Sequence, residues 1–370
     1  MRTKLLFAAF AASVISVSAI PNPFSKVLPK RKKFSTLIDL EHQAKLLPEY
    51  PKIDNNDYIK PDYSSFYKSL SPNIFKKTWG GAKNLWPNKK YATWSPDVLK
   101  KLLVDVTDER KMRSYQAGFT QKLTPPSSAH FVAWGNIHGS FHSFVRDLRE
   151  LKNKGIINED LTIAKPDHYL VFNGNVVDLS PFSMETLTAV LLLMKQNRHN
   201  AFYVRGAHES KNRWRRYGLG QELGAKVKKT KHYVAFESML KDFFNTLPSA
   251  LHLKKMVNGE SKIVQISSLA EVNSESKSKP ILCLSAETLN DSFSGGRGLR
   301  QVKTSDTVTG DVWRLFSSPT RVHRSSRQFF YDSFVIFTLN DSLKKSTLAL
   351  HSRDTRQNGG FREQVYRLFG

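Results

Sequence analysis

The sequence predicts an α/β protein, layered and built from a βαβαβ unit with parallel strands. Three observations carry this. Short apolar runs recur at 130–134, 169–172 and 201–204. Each run stops at a glycine: Gly135, Gly174 and Gly206. Between the runs lie stretches of helical period. A short apolar run closed by a turn residue is the pattern of a buried strand. Parallel neighbours require crossovers, which are right-handed.

The first crossover places Phe141, Phe144, Val145, Leu148 and Leu151 along one helix face, with Gly155 positioned to end it. The second places Leu187, Val190, Leu191 and Met194 on one face. In open α/β sheets a ligand sits at the carboxyl ends of the strands. The three glycine loops therefore converge on one place. Further along, the run Ile281-Leu282-Cys283-Leu284 reads as another strand, with its lone cysteine in the core. One cysteine allows no intrachain disulfide.

The chain has 370 residues and a formal net charge of +25, with 40% hydrophobic and 24% charged residues. A globular core is expected from that composition. The charge favours phosphates, anionic head groups or acidic protein faces. No zinc-finger, RNA-recognition or homeodomain signature is visible, so sequence-specific nucleic-acid binding is not indicated.

Residues 1–19 read as a signal peptide. Arg2 and Lys4 precede an apolar run from Leu5 to Val17, and Val17-Ser18-Ala19 has the small-residue character of a cleavage site. The run is too short to span a membrane. A secreted or periplasmic protein, soluble once mature, is expected. Residues 20–125 read as a basic N-terminal extension containing Lys30-Arg31-Lys32-Lys33 and Tyr58-Ile59-Lys60-Pro61-Asp62-Tyr63. One helix is expected near 96–114. Ser95 can cap it, Pro96 fits its first turn, and Leu99, Leu102, Leu103 and Val106 follow at helical spacing. Residues 128–352 hold the main domain, and 353–370 read as a C-terminal tail.

The loops read Gly135-Asn136-Ile137-His138-Gly139, Gly174-Asn175-Val176-Val177-Asp178-Leu179-Ser180 and Arg205-Gly206-Ala207-His208-Glu209. In order and strand context they resemble the calcineurin-like metallophosphoesterases, in particular the phosphoprotein phosphatase branch. That family carries G-D-x-H-G, G-D-x-V-D-R-G and R-G-N-H-E. Downstream, Phe243–Ala250 is similar to its F-x-x-L-P-x-A helix end, and Leu315–Thr320 to its F-S-A-P-N segment. The segment Ile281–Glu287 is matched to its apolar strand followed by H-G-G. The resemblance implies a central β-sandwich flanked by helices, holding two metal ions that activate a hydroxide for attack on a phosphate ester.

Carried over by position, the resemblance also implies a damaged site. The two aspartates fall at Asn136 and Asn175, and the asparagine at Ala207. The next histidine falls at Ser285, and the phosphate-binding arginine at Leu179. Residues 290–315 contain no histidine to supply the last ligand. Only His138 remains as a strong ligand. Asparagine matches aspartate in shape but lacks the charge that offsets two neighbouring cations. No cofactor is expected; if any binds, it is a single weakly held divalent ion (manganese, iron or zinc) at Asn136, His138 and Asn175. The family's leaving-group acid and its supporting carboxylate fall at His208 and Asp178, both present.

Arg205, Arg213, Arg215 and Arg216 are candidates for anion binding, alongside the bland reading of a solvated basic loop. His142, four residues after His138, reads as a packing residue. Glu287 with Asp178 and Glu209 has no spacing that supports a metal site. Three functions are consistent with these residues. The first is a pseudo-phosphatase that binds a phosphorylated or acidic protein without turnover. The second is an atypical active phosphoesterase with His208 as acid. The third is a basic scaffold for anionic membrane or nucleic acid.

Overall fold

The computed structural model describes residues 33–48, 66–67, 91–113, 115, 119–210, 213–227, 230–268, 280–286, 298–302, 311–317, 331–340, 343 and 345–368. The expected signal peptide, the Tyr58–Tyr63 segment and Glu287 lie outside the described residues. In chain order the elements are α1 (Leu37–Leu46), α2 (Pro96–Met112), β1 (Thr120–Leu123), β2 (His130–Trp134), α3 (Phe141–Asn153), β3 (His168–Phe172), α4 (Ser183–Gln196), β4 (Ala201–Tyr203), α5 (Leu219–Lys226) and α6 (Thr230–Asn245). Strands β5 (Ala250–Val257), β6 (Glu260–Ser267), β7 (Leu282–Ala286), β8 (Leu299–Val302), β9 (Asp311–Leu315), β10 (Tyr331–Thr338), β11 (Thr347–Asp354) and β12 (Arg362–Arg367) follow.

The βαβαβ unit forms as the periodicity predicts. Strands β2, β3 and β4 are parallel neighbours, with Phe131 opposite Tyr169 and Val171 opposite Phe202. They extend a sheet ordered β12-β11-β10-β2-β3-β4. A second sheet runs β1-β5-β6-β7-β9-β8. The two sheets pack face to face. Phe131, Ala133 and Val171 of one meet Leu251, Val264, Ile266 and Leu284 of the other in one apolar cluster. The opposite face of the first sheet presents Val132, Trp134, Leu170 and Phe172 to Phe144, Leu148, Leu187 and Leu191 of α3 and α4. Period-two alternation decides which residue enters which layer. Burying each large apolar side chain contributes roughly 1.5–3 kcal/mol.

The N-terminal extension packs on the main domain and holds, besides the helix expected near 96–114, a second one, α1. Phe34, Leu37, Leu40, Trp94, Leu99 and Leu103 are buried in the same cluster as α3 and α4. Helix α1 has a capping box between Thr36 and Asp39. The second carboxylate oxygen of Asp39 accepts the Ala92 backbone N–H at 2.8 Å. The other end of α1 is held from α3, where His142 Nε2 lies 3.0 Å from the Ala44 carbonyl and 3.3 Å from that of Leu47. An imidazole N–H donating to terminal carbonyls completes a helix end. His142 is thus a packing residue. β1 also joins a sheet, parallel to β5. The C-terminal tail is likewise not loose, because β12 pairs antiparallel with β11 along its length. Its Tyr366 packs 5.2 Å from Trp313.

No helix among the described residues is long and apolar enough to cross a membrane.

Candidate functional site

The three glycine loops meet at the carboxyl ends of β2, β3 and β4. Their glycines are demanded by close approach. A Cβ on Gly135 would lie 1.8 Å from the Leu315 carbonyl oxygen, and one on Gly206 would lie 2.1 Å from the Asn175 nitrogen. Four non-glycine residues here adopt left-handed backbone: His138 (φ 51°), Asn175 (φ 50°), Asp178 (φ 72°) and Leu179 (φ 57°). Each such residue costs on the order of 1–2 kcal/mol, which surrounding bonds must offset.

Glu209 supplies many of those bonds. It is 3% exposed. One oxygen accepts from the Asn175 N–H at 2.9 Å and the Gly206 N–H at 2.8 Å. The other accepts from the Val176 N–H at 2.9 Å and the Tyr203 hydroxyl at 2.8 Å. Burial first, then the Glu209 charge, pushes the Tyr203 phenol well above its ordinary range. The hydroxyl therefore stays a donor. Glu209 was not singled out as a structural residue in the sequence, although it closes the third motif. It ties the third loop to the second.

The first and second loops are joined by an amide pair. Asn175 Nδ2 donates to Asn136 Oδ1 at 2.8 Å. Asn175 Oδ1 accepts the His208 backbone N–H at 3.1 Å. The Asn175 carbonyl accepts both the Ile137 and His138 N–H groups, at 3.1 and 2.9 Å. Asn136, Asn175 and His138 are thus brought together as predicted. His138 is fully buried, and burial, helped by the nearby His208, holds its imidazole well below the usual range. Its Nδ1 faces the Val177 carbonyl at 3.5 Å, and its Nε2 has no hydrogen-bond partner.

Asp178 and His208 form the expected pair. His208 Nδ1 and Asp178 Oδ2 are 2.9 Å apart. The other Asp178 oxygen accepts the Leu219 N–H at the start of α5, at 2.9 Å. A carboxylate on Nδ1 fixes the tautomer and leaves Nε2 for an outside group. Tyr217 packs edge-on against His208 with ring centroids 5.5 Å apart, a neighbour that no motif announces.

Two serine-bearing strands lie side by side at the site. The strand that follows the Leu247-Pro248 helix end and runs into the site is β6, by way of the β5–β6 hairpin. It delivers Ser267 and Ser268, and Ser268 Oγ lies 3.5 Å from Asn175 Nδ2. Ser285 lies on the next strand, in register with Ser267. Its hydroxyl is buried without a partner.

The arginines divide. Arg215 is not a free anion ligand, since it pairs with Glu237 at 3.0 Å and lies over the Trp214 ring. Arg213 and Arg216 are exposed on the turn after the third loop. Arg205 is half-buried, and burial lowers its pKa while Glu209 raises it.

The donor set does not fit two divalent cations. Asn136 and Asn175 are neutral and bonded to each other, and Ala207 has no donor. The carboxylates of Asp178 and Glu209 are committed to protein N–H and O–H groups. Among the described residues no cluster of three His, Cys, Asp or Glu could hold a metal. Asn175→Asp should destabilise the protein more than Asn136→Asp. An aspartate at 175 turns a donor into an acceptor facing the Asn136 oxygen, whereas one at 136 keeps the acceptor in place. The expected extra loss is about 1–3 kcal/mol, read as a lower urea midpoint. Equal midpoints for the two variants would refute the amide pair.

A sandwich of two mixed sheets, with three glycine loops at the ends of its parallel strands β2, β3 and β4 and an Asp–His pair joining two of them, defines a phosphoesterase framework. The calcineurin-like phosphoesterase family model matches residues 129–335, more than half of the chain, and the chain belongs to that family. It is similar to serine/threonine-protein phosphatase 5 of Solanum lycopersicum, 26% identical over 168 residues, covering 42% of this chain and 28% of that protein. It is also similar to serine/threonine-protein phosphatase SIT4 of Candida albicans, 33% identical over 106 residues, covering 28% of this chain and 31% of that protein. The matched region therefore spans less than a third of either relative. Among solved structures, a Saccharomyces cerevisiae serine/threonine phosphatase with similarity to human PP5 aligns with a TM-score of 0.45 at 14% identity, covering 83% of this chain and 96% of that one.

Proposed function

We propose that this chain is a pseudo-phosphatase: it keeps the phosphoesterase shell as a binding surface and holds a phosphorylated or acidic protein without hydrolysing it. The Asn175–Asn136 amide pair carries the reading. Where the family's loops meet through metal-bridging carboxylates, these loops are joined by a neutral hydrogen bond. No charged oxygen is left to offset a cation pair. Arg205, Arg213 and Arg216, near the third loop, supply positive charge for an anionic partner. The leader-like residues 1–19 support export to a secreted or periplasmic location. N-terminal sequencing of exported protein should begin at Ile20, and a retained Met1 would refute that part.

Purified protein should turn over nitrophenyl phosphate with added manganese no faster than buffer, and should carry less than one equivalent of metal. Two tightly bound equivalents would overturn the reading. The triple variant Asn136→Asp, Asn175→Asp, Ala207→Asn should remain inactive, because Leu179, Ser268 and Ser285 still supply neither an arginine nor a histidine. A second reading, an atypical phosphoesterase with His208 as general acid, is favoured by the Asp178–His208 bond. Turnover that His208→Ala abolishes would select it.

A further inference from the structure

We infer that the outer edge of β12 is a self-complementary surface on which a second copy of this chain docks, continuing the sheet across a two-fold axis at Val365. Backbone polarity comes first. The Leu368 N–H donates to the Ser346 carbonyl at 2.9 Å, in the same register that sets Arg367 opposite Thr347. Alternation along an antiparallel strand then turns the N–H and C=O groups of Arg362, Gln364 and Tyr366 toward β11. Those of Glu363, Val365 and Arg367 point outward. β12 is the last strand of its sheet, and no described strand pairs with it on that side.

The side chains of Glu363, Val365 and Arg367 share one face of the strand. Val365 is 57% exposed, an apolar side chain on an open edge. Glu363 and Arg367 are exposed on either side of it. Lys154, at 3.5 Å, and His351, at 3.6 Å, hold the Glu363 carboxylate on that face.

Exposed edges are usually blunted by charge. Here the two charges have opposite sign and are symmetrically spaced about Val365. An antiparallel two-fold through Val365 sets Val365 against its own copy and each Glu363 against the other copy's Arg367. A two-fold on Glu363 or on Arg367 opposes like charges instead, which is unfavourable across a strand pair. A two-fold on Gln364 or Tyr366 leaves Arg367 opposite an apolar side chain. The charges thus select one register of self-pairing rather than forbidding the edge.

Sedimentation velocity of the full chain across a concentration series tests this. A reversible monomer–dimer equilibrium that weakens with added salt is expected. Arg367→Glu sets two carboxylates against two carboxylates and should raise the dissociation constant about tenfold. Glu363→Arg should do the same, and the double exchange E363R/R367E should restore the dimer. Val365→Pro removes the N–H at the axis and should abolish pairing. Because residue 367 is exposed, Arg367→Glu should keep the unfolding midpoint of the parent, which separates lost docking from lost folding. A chain monomeric at every concentration would overturn the inference. So would a dimer indifferent to Arg367→Glu, or one that the double exchange fails to restore.

Discussion

Glu209→Ala should unfold this protein under conditions where the parent is fully native. The substitution removes the acceptor for four backbone N–H groups, those of Asn175, Val176, Val177 and Gly206, and for the Tyr203 hydroxyl. All five donors lie in the buried floor of the loops, where water cannot replace the carboxylate. A stranded buried donor costs about 1–3 kcal/mol. Together the loss is on the order of 5 kcal/mol, a large part of the stability of a typical domain. Glu209→Gln should be milder but still damaging. Its amide keeps one acceptor oxygen and aims an NH2 group at donors on the other side. Urea unfolding followed by circular dichroism should rank the midpoints parent, Gln, Ala. A Gln variant as stable as the parent would show that the second oxygen contributes nothing.

The second large effect lies away from the loops. Lys226 is buried, with its Nζ 2.6 Å from both oxygens of Glu185 and 2.5 Å from Glu222. Its ammonium also lies 5.1 Å from the centre of the Trp94 ring, so it touches the N-terminal layer. Burial pushes Glu222 well above its ordinary range, opposed by Lys226 and reinforced by Glu185. Glu222 in turn accepts the Met184 N–H at the start of α4, while Asp178 accepts the Leu219 N–H at the start of α5. Each helix is thus capped by an acid from, or just ahead of, the other.

Lys226→Met keeps the volume and leaves two buried carboxylates without their cation. Breaking a buried pair in this way costs about 3–5 kcal/mol. Adding Glu185→Leu and Glu222→Gln should recover most of that loss, because replacing a whole buried ionic group by packed side chains is often neutral. The Gln retains an acceptor for Met184. Failure of the triple variant to recover would mean that Lys226 acts through its contacts with Trp94 and Phe182 rather than through charge.

The two tests bear on different parts of the function. Glu209 holds the second and third loops against each other, so its loss removes their arrangement together with the fold. Lys226, through Glu222 and Glu185, bears on the start of α4, five residues beyond Asp178. A destabilised Lys226→Met protein that still folds at low temperature should retain the Asp178–His208 bond, since no Lys226 atom contacts either residue among the contacts described.

Much of this was open to reading from the residues alone. Strand runs, helix faces and turn glycines are local properties, and here they place β2, β3 and β4 within a residue of where they occur and set the apolar faces of α3 and α4 inside those helices. The Asn136, His138, Asn175, Asp178 and His208 assignments rest on the resemblance of the three loops to the family's motifs, carried over position by position. The residue types at the loop positions, asparagine at 136 and 175 and alanine at 207, are likewise legible in the sequence.

Other features depend on contacts between distant parts of the chain, which no local pattern encodes. Whether Asn175 turns its amide nitrogen toward Asn136 is decided by the His208 N–H that occupies its oxygen. Whether Arg215 is free is decided by Glu237, one helix away. The basic N-terminal segment reads as an arm because charge dominates its composition. Yet its few apolar residues, Phe34, Leu37, Leu40 and Trp94, find the exposed backs of α3 and α4 and bury there. Strand and helix period therefore determined the βαβαβ unit, and the loop motifs, through their resemblance to the family, the phosphoesterase framework. Only tertiary packing decided what holds the three loops together: the Asn175–Asn136 amide bond and the buried Glu209 carboxylate, which satisfy backbone and side-chain groups of distant segments at once.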